Sequence, residues 1–178
     1  MKLEIPFDEN IYSEQTTLYF NQFWNKNLKK NKERIYWAIP LTIVGIFLVK
    51  KENNLGFFSL GIGIHYLINF YTYYRHYKTI KTKHFELTNS EIDGQKSAGQ
   101  STILEFNEEY FRYKNYKYDT KIKWNAFKNY QVIDKNLFLD LEIGYKPSYI
   151  LGEKEVGKEK FNEIVEFIKK KSKQFGKN

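Results

Sequence analysis

The chain has 178 residues and a mass of 21.5 kDa, carries 29 Lys and Arg against 21 Asp and Glu for a formal charge of +8, and has a mean hydropathy of −0.64. It contains no cysteine, which excludes a disulfide scaffold, a cysteine zinc ribbon and a thiol nucleophile; its 19% aromatic content is too high for intrinsic disorder. All the cations except Arg34, Arg75 and Arg112 are lysine, and arginine is the residue favoured for bidentate phosphate and base recognition, so no nucleic-acid partner is expected despite the basic charge.

Residues Lys2 to Phe7 alternate as a short strand, and Asp8 stands where a helix N-cap belongs. A helix is expected from about Asn10 to Lys30, with Leu18, Phe20, Phe23 and Trp24 as its apolar positions. Its end is polybasic, with Lys26, Lys29, Lys30, Lys32 and Arg34 close together. From Ile35 to Val49 the chain reads IYWAIPLTIVGIFLV without a charge. After the polar link Lys50-Lys51-Glu52-Asn53-Asn54, a second uncharged run extends from Leu55 to Tyr74. At about 1.5 Å per residue this second run is about 30 Å long, the thickness of a bilayer's hydrocarbon core.

Neither run shows a polar stripe: Leu41, Ile43, Val44, Ile46, Phe47 and Leu48 take every side of a helix, and a helix apolar all round is buried or in lipid. Tyr36 and Trp37 open the first run while Tyr71, Tyr73 and Tyr74 close the second, as an interfacial aromatic belt does. The expectation is therefore a two-helix transmembrane hairpin with spans 35–49 and 55–74, kinked near Pro40. Arg75, Lys78, Lys81 and Lys83 follow the second span. With the five cations before the first, they outnumber Lys50 and Lys51 of the loop, so the positive-inside bias places both termini in the cytoplasm of a multi-pass protein of the bacterial inner membrane. The opening MKLEIPFDEN lacks the features of a signal peptide. Lys26, Lys29, Lys30, Lys32, Arg34, Arg75, Lys78, Lys81 and Lys83 are the candidate lipid-facing residues, each gaining up to ~1 kcal/mol against anionic lipid. Within the spans His65 and Asn69, four apart on one helix face, form the candidate intramembrane polar contact. Gly45, Ser59, Gly61 and Gly63 are small enough to let the helices approach closely, with His65 bonding across.

From about Phe85 the pattern changes to strands, by way of a basic juxtamembrane connector over 75–100. Thr102–Phe106 and Tyr110–Tyr113 flank a turn at Asn107-Glu108-Glu109, and Lys114-Asn115 reads as a tight turn. Next, Tyr116, Tyr118, Thr120, Ile122 and Trp124 alternate with Lys117, Asp119, Lys121 and Lys123, the signature of a half-buried antiparallel strand. Tyr130–Asp134 and Leu137–Ile143 flank Lys135-Asn136 as a second hairpin, with Leu137, Leu139, Leu141 and Ile143 facing in. Ser148–Leu151 is a last strand, and Phe161, Ile164, Val165 and Ile168 recur at i, i+3, i+4 and i+7 on one amphipathic helix from about Gly157 to Lys173. Meandering antiparallel strands closed by such a helix over 101–178 follow the pattern of a pleckstrin-homology-like (PH-like) barrel or sandwich. The fold class expected is thus an α+β membrane protein, with residues 1–34 as a strand and helix leading to the hairpin.

This order of elements resembles the YcxB-like family of bacterial membrane proteins. Ile122-Lys123-Trp124-Asn125-Ala126-Phe127 is similar to that family's strand, tryptophan and short turn; the pair Tyr130–Asp134 and Asn136–Leu141 follows, then Tyr149-Ile150-Leu151 before the helix around Phe161. Where relatives often show an Ile-Pro-Lys-like step, this chain has Leu151-Gly152-Glu153. The resemblance implies a membrane-anchored cytoplasmic PH-like domain and brings no catalytic residues with it.

The residues themselves suggest no enzyme, cofactor or metal. His65, His76 and His84 have no carboxylate at ligand spacing beside them, Glu108-Glu109 reads as a turn pair, Ser148 has no histidine near it in sequence, and Gly61 and Gly63 do not follow a strand as a phosphate loop does. The function expected is that of a non-catalytic binding or regulatory module at the inner membrane, with the lipid bilayer as partner and a protein or a second copy engaged through the hairpin. Two other readings stand beside it: anionic-lipid headgroup recognition by cations near Arg112, Lys114, Lys117, Lys121 and Lys123, and an immunity or envelope-stress role acting through the spans.

Overall fold

The structure is a computed structural model describing residues 1–142 and 149–176, with Phe23 and Lys26 described by their backbone alone. In chain order it has β1 (Lys2–Ile5), α1 (Glu9–Lys50), α2 (Leu55–Ala98), β2 (Thr102–Phe106), β3 (Tyr110–Lys114), β4 (Asp119–Lys123), β5 (Phe127–Ile133), β6 (Asn136–Leu141), β7 (Tyr149–Gly152), α3 (Glu153–Val156) and α4 (Lys158–Lys171). These elements form two compact units, one of Met1–Tyr19 with Thr88–Asn178, the other of Phe20–Leu87. Ile143 and Ser148, expected at strand ends, lie outside the described residues.

The first unit is α+β, with a four-stranded antiparallel sheet in the order β1-β2-β3-β4 and a three-stranded one in the order β5-β6-β7. Asn115 sets the β3–β4 turn: its Oδ1 accepts the backbone N–H groups of Lys117 (3.0 Å) and Tyr118 (2.7 Å). This side-chain turn claims Tyr116 and Tyr118, so the alternating strand begins only at Asp119. The β5–β6 turn falls at Asp134-Lys135, whose φ angles of 46° and 61° are those of a primed hairpin turn. One apolar core gathers Leu104, Phe106 and Phe111 of the first sheet, Phe127, Leu137, Leu139 and Leu151 of the second, and Phe161, Ile164 and Ile168 of α4. Trp124 closes it, 1% exposed, with its indole N–H donating to the Asn107 carbonyl at 2.9 Å. The strand β6 is buried on both faces, since Phe138 turns away from that core and stacks on Tyr19 at 6.2 Å.

At the start of α1 the Asp8 carboxylate accepts the N–H groups of Asn10 (2.8 Å) and Ile11 (3.0 Å), as an N-cap does. The turn that follows β7 meets this part of α1 through polar contacts. Gln15 Nε2 and the Gly152 N–H both donate to Glu155 Oε2 at 2.6 Å, and Lys154 pairs with Glu14 at 2.6 Å.

The second unit is a pair of antiparallel helices joined by residues 51–54. Glycine is required where they touch: a Cβ on Gly45 would stand 2.6 Å from the backbone nitrogen of Leu60, and one on Gly56 2.5 Å from that of Val49. Hydrogen bonds cross between the helices, with Ser59 Oγ donating to the Leu41 carbonyl at 2.9 Å and Asn31 Nδ2 to the Phe70 carbonyl at 3.3 Å. Away from the turn, Phe20 lies against Tyr77 (5.9 Å between ring centres) and His84 (4.8 Å), and Trp24 against Tyr73 (5.8 Å) and His76 (6.1 Å).

The transmembrane hairpin is corrected by this structure, because no helix among the described residues is long and apolar enough to cross a membrane. The error lies in taking uncharged for apolar. Ile35–Val49 has fifteen residues, about 22 Å of helix at 1.5 Å each, and Arg34 and Lys50 prevent its extension. Leu55–Tyr74 is long enough, but Ser59, His65, Asn69, Thr72 and its glycines and tyrosines dilute it. The fold is therefore α+β with two antiparallel sheets, and the multi-pass inner-membrane location with both termini cytoplasmic is withdrawn with the spans that carried it. Residues 75–98, expected as connector and first strands, are the end of α2. Thr88, Ile92 and Gln95 are buried at i, i+4 and i+7, and this packing holds as helix a stretch whose Thr, Ser and Gly residues disfavour one.

Candidate functional site

Apolar side chains that face solvent are concentrated on the helical unit. Trp37 is 68% exposed, Ile43 62%, Phe47 59%, Phe57 65% and Phe58 72%, and Tyr36, Ile39, Val44, Ile46, Leu55, Ile64, Ile68, Tyr71 and Tyr74 are exposed beside them. The pattern follows from the glycine contacts. Small residues on the facing sides (Ala38, Gly45, Gly56, Gly63) consume little apolar surface in joining the helices, which leaves the large residues on the outside. Isolated exposed apolar residues are ordinary; a contiguous set of this kind marks a surface that something covers.

The nine cations expected to face lipid lie on the same two helices, at the end away from the turn. Lys29, Lys30, Lys32, Arg75, Lys78, Lys81 and Lys83 are exposed; Arg34 is half-buried and donates to Asn31 Oδ1 at 3.4 Å, and the side chain of Lys26 lies outside the described residues. Among the described residues none of them pairs with a carboxylate. The cations of the α+β unit differ. Arg112 forms a two-pronged bond to Asp119 (2.8 and 2.7 Å) and approaches Glu105 at 3.6 Å, Lys117 lies 3.7 Å from Glu91, and Lys121 sits 5.1 Å above the Tyr110 ring. The Asp119 bond holds the Arg112 pKa above its ordinary value and draws that of Asp119 below. Of the five cations considered for headgroup recognition on the strands, only Lys114 and Lys123 are without such a contact among the described residues.

The charge count follows the same division. Phe20–Leu87 holds eleven Lys and Arg and three acids, Glu33, Glu52 and Glu86, whereas the rest of the chain balances eighteen cations against eighteen anions. The whole formal charge of +8 therefore resides on the unit that exposes the apolar surface.

His65 and Asn69 are indeed neighbours, with Asn69 Nδ2 and His65 Nε2 2.8 Å apart, but both sit on the outside of α2 and bond each other rather than reaching α1. Asn31 does cross near the cations, 3% exposed amid charged neighbours, and spacing alone did not single it out. Tyr73, expected in an interfacial belt, instead has its hydroxyl buried between the helices, and burial raises its pKa. His76 and His84 pack on the rings of Trp24 and Phe20. Elsewhere, burial pushes the Tyr12 hydroxyl up to about 12 and raises that of Tyr113, beside the Asn115 turn. No family model, curated protein or solved structure matches the chain, so the assignment of a site rests on these residues themselves.

Proposed function

We propose that the chain is a non-catalytic binding module whose recognition element is the helical hairpin of Phe20–Leu87. The observation that carries this is the exposed apolar surface running from Tyr36 to Tyr74. Each large apolar side chain moved from water to an apolar contact contributes about 1.5–3 kcal/mol, so a surface with this many exposed gains strongly from any partner that covers it. The test is binding of the full-length chain to micelles of an uncharged detergent, read by light scattering on a sizing column. The parent protein carries bound detergent, and the variant Ile43→Ser/Phe47→Ser/Phe57→Ser/Phe58→Ser carries far less while keeping the parent's circular dichroism. Equal detergent loads on the two proteins refute the proposal.

A further inference from the structure

We infer, resting on the reading of the hairpin as the recognition element, that its partner is an anionic lipid surface, engaged from one side without crossing it. Two observations choose this occupant. The first is where the apolar residues point. Ala38, Thr42 and Gly45 of α1 face α2, and at about 100° per residue Ile39 and Ile46 fall on one flank of the hairpin, Trp37 and Val44 on the other, and Ile43 and Phe47 outward. Ile43, Phe47 and either flank therefore form one apolar side that a lipid surface takes along its length, while the charged turn Lys50-Lys51-Glu52 stays at the level of the headgroups.

The second observation is the charge. The unit carries all of the chain's net charge of +8, and its exposed cations near the hairpin base have no carboxylate partner among the described residues. Tyr36, Trp37, Tyr71 and Tyr74, all exposed, lie between those cations and the aliphatic stretch. The aliphatic stretch thus has cations at both ends, Lys50 and Lys51 at the turn and the others at the base, so a hairpin lying along the surface sets its apolar side in the chains and its aromatic and cationic ends at the interface and the anionic headgroups. A second copy of the chain supplies apolar surface but not the counter-charge. Paired in parallel it sets two cationic bases side by side, and paired head to tail it sets Lys50 and Lys51 against them.

The experiment is co-sedimentation of the full-length chain with phosphatidylcholine vesicles and with vesicles also containing phosphatidylglycerol. Binding is expected to favour the anionic vesicles and to weaken as salt is raised. Replacing Lys29, Lys30, Lys32, Lys78 and Lys81 together by Gln is expected to weaken binding at least tenfold, since each cation near an anionic surface contributes up to ~1 kcal/mol and 1.4 kcal/mol is tenfold. Arg112→Ala, which removes a cation already held by Asp119, leaves binding as it was. Equal binding to both vesicle types, or to the parent and the Gln variant, overturns the inference. So does a dimer that forms without lipid and is dispersed by Phe57→Ser/Phe58→Ser. In each of these cases retained micelle binding leaves the hairpin's role standing; loss of micelle binding removes that role as well.

Discussion

Replacing Gly45 by alanine tests whether the two helices of the recognition unit are held as closely as the geometry requires. A Cβ there lies 2.6 Å from the Leu60 nitrogen and 2.8 Å from the Leu60 Cγ. The side chain can rotate away, but the backbone nitrogen cannot, so the helices part locally by about 0.8 Å, the difference between 2.6 Å and the 3.4 Å at which ordinary contact begins. The Ser59–Leu41 bond, now 2.9 Å, is then stretched beyond hydrogen-bond range. Loss of that bond costs about 1 kcal/mol and overpacking a further 1–3, while alanine's better helix propensity returns about 1. The net expectation is a loss of about 1–3 kcal/mol. Gly61 provides the opposite case, since its Cβ would meet nothing within 4 Å, and Gly61→Ala is expected to stabilise the helix by about 0.5–1 kcal/mol. Hydrogen exchange of the amides in 41–49 and 56–63 reads both variants locally: exchange quickens by up to about two orders of magnitude in the first and slows several-fold in the second. If Gly45→Ala exchanges at the parent's rate, or if the two variants move in the same direction, the close-contact account is wrong.

Two further outcomes concern the α+β unit. Burial raises the Glu155 carboxyl above its ordinary pKa of 4.5, although Gln15 and Gly152 donate to its charged form. The folded state therefore holds this proton more tightly than the unfolded chain, and the group's favourable contribution is complete below the ordinary pKa and lost as pH rises through the folded one. Glu155→Gln should then gain stability over the parent as pH rises across that window and hold a constant advantage above it; a pH-independent difference in denaturant unfolding contradicts the assignment. Trp124→Phe removes the bond to the Asn107 carbonyl and part of a ring that is 1% exposed, with an expected loss of about 1–3 kcal/mol in the same assay, and a loss below about 0.5 kcal/mol argues against its central place in the core.

The elements that could be read from the chain were those whose apolar period is undisturbed. Phe161, Ile164 and Ile168 mark α4, and Thr120 and Ile122 mark β4. The turn at Asn115 was legible but its extent was not, because the alternation continues through Tyr116 and Tyr118 while a side-chain-to-backbone bond keeps them in the turn. The length of α2 was hidden for a related reason: Thr88, Asn89, Ser90 and Gly94 lower helix propensity, and the burial of Thr88, Ile92 and Gln95 helps to hold the helix to Ala98. In the hairpin, the apolar runs and their basic flanks were visible as letters, but Tyr, His, Asn and Gly within Leu55–Tyr74 counted as uncharged when they should have counted as polar or small. No pattern in the chain could say which cations lack a partner, since the answer for Arg112 lies across a strand pair at Asp119.

The unit Phe20–Leu87 is an insertion between the two chain segments that build the α+β unit, and this orders events in time as well as in space. Adjacent in the first sheet, β1 and β2 pair Ile5 with Thr102, so all of α1 and α2 lies between them in the chain. For a structureless connection of that length, closure is entropically unfavourable and slow. Two helices folding back on a four-residue turn form from local contacts and shorten that search before the strands meet. A substitution that loosens the glycine contacts therefore acts twice, once on the surface offered to a partner and once on the rate at which the sheet can close.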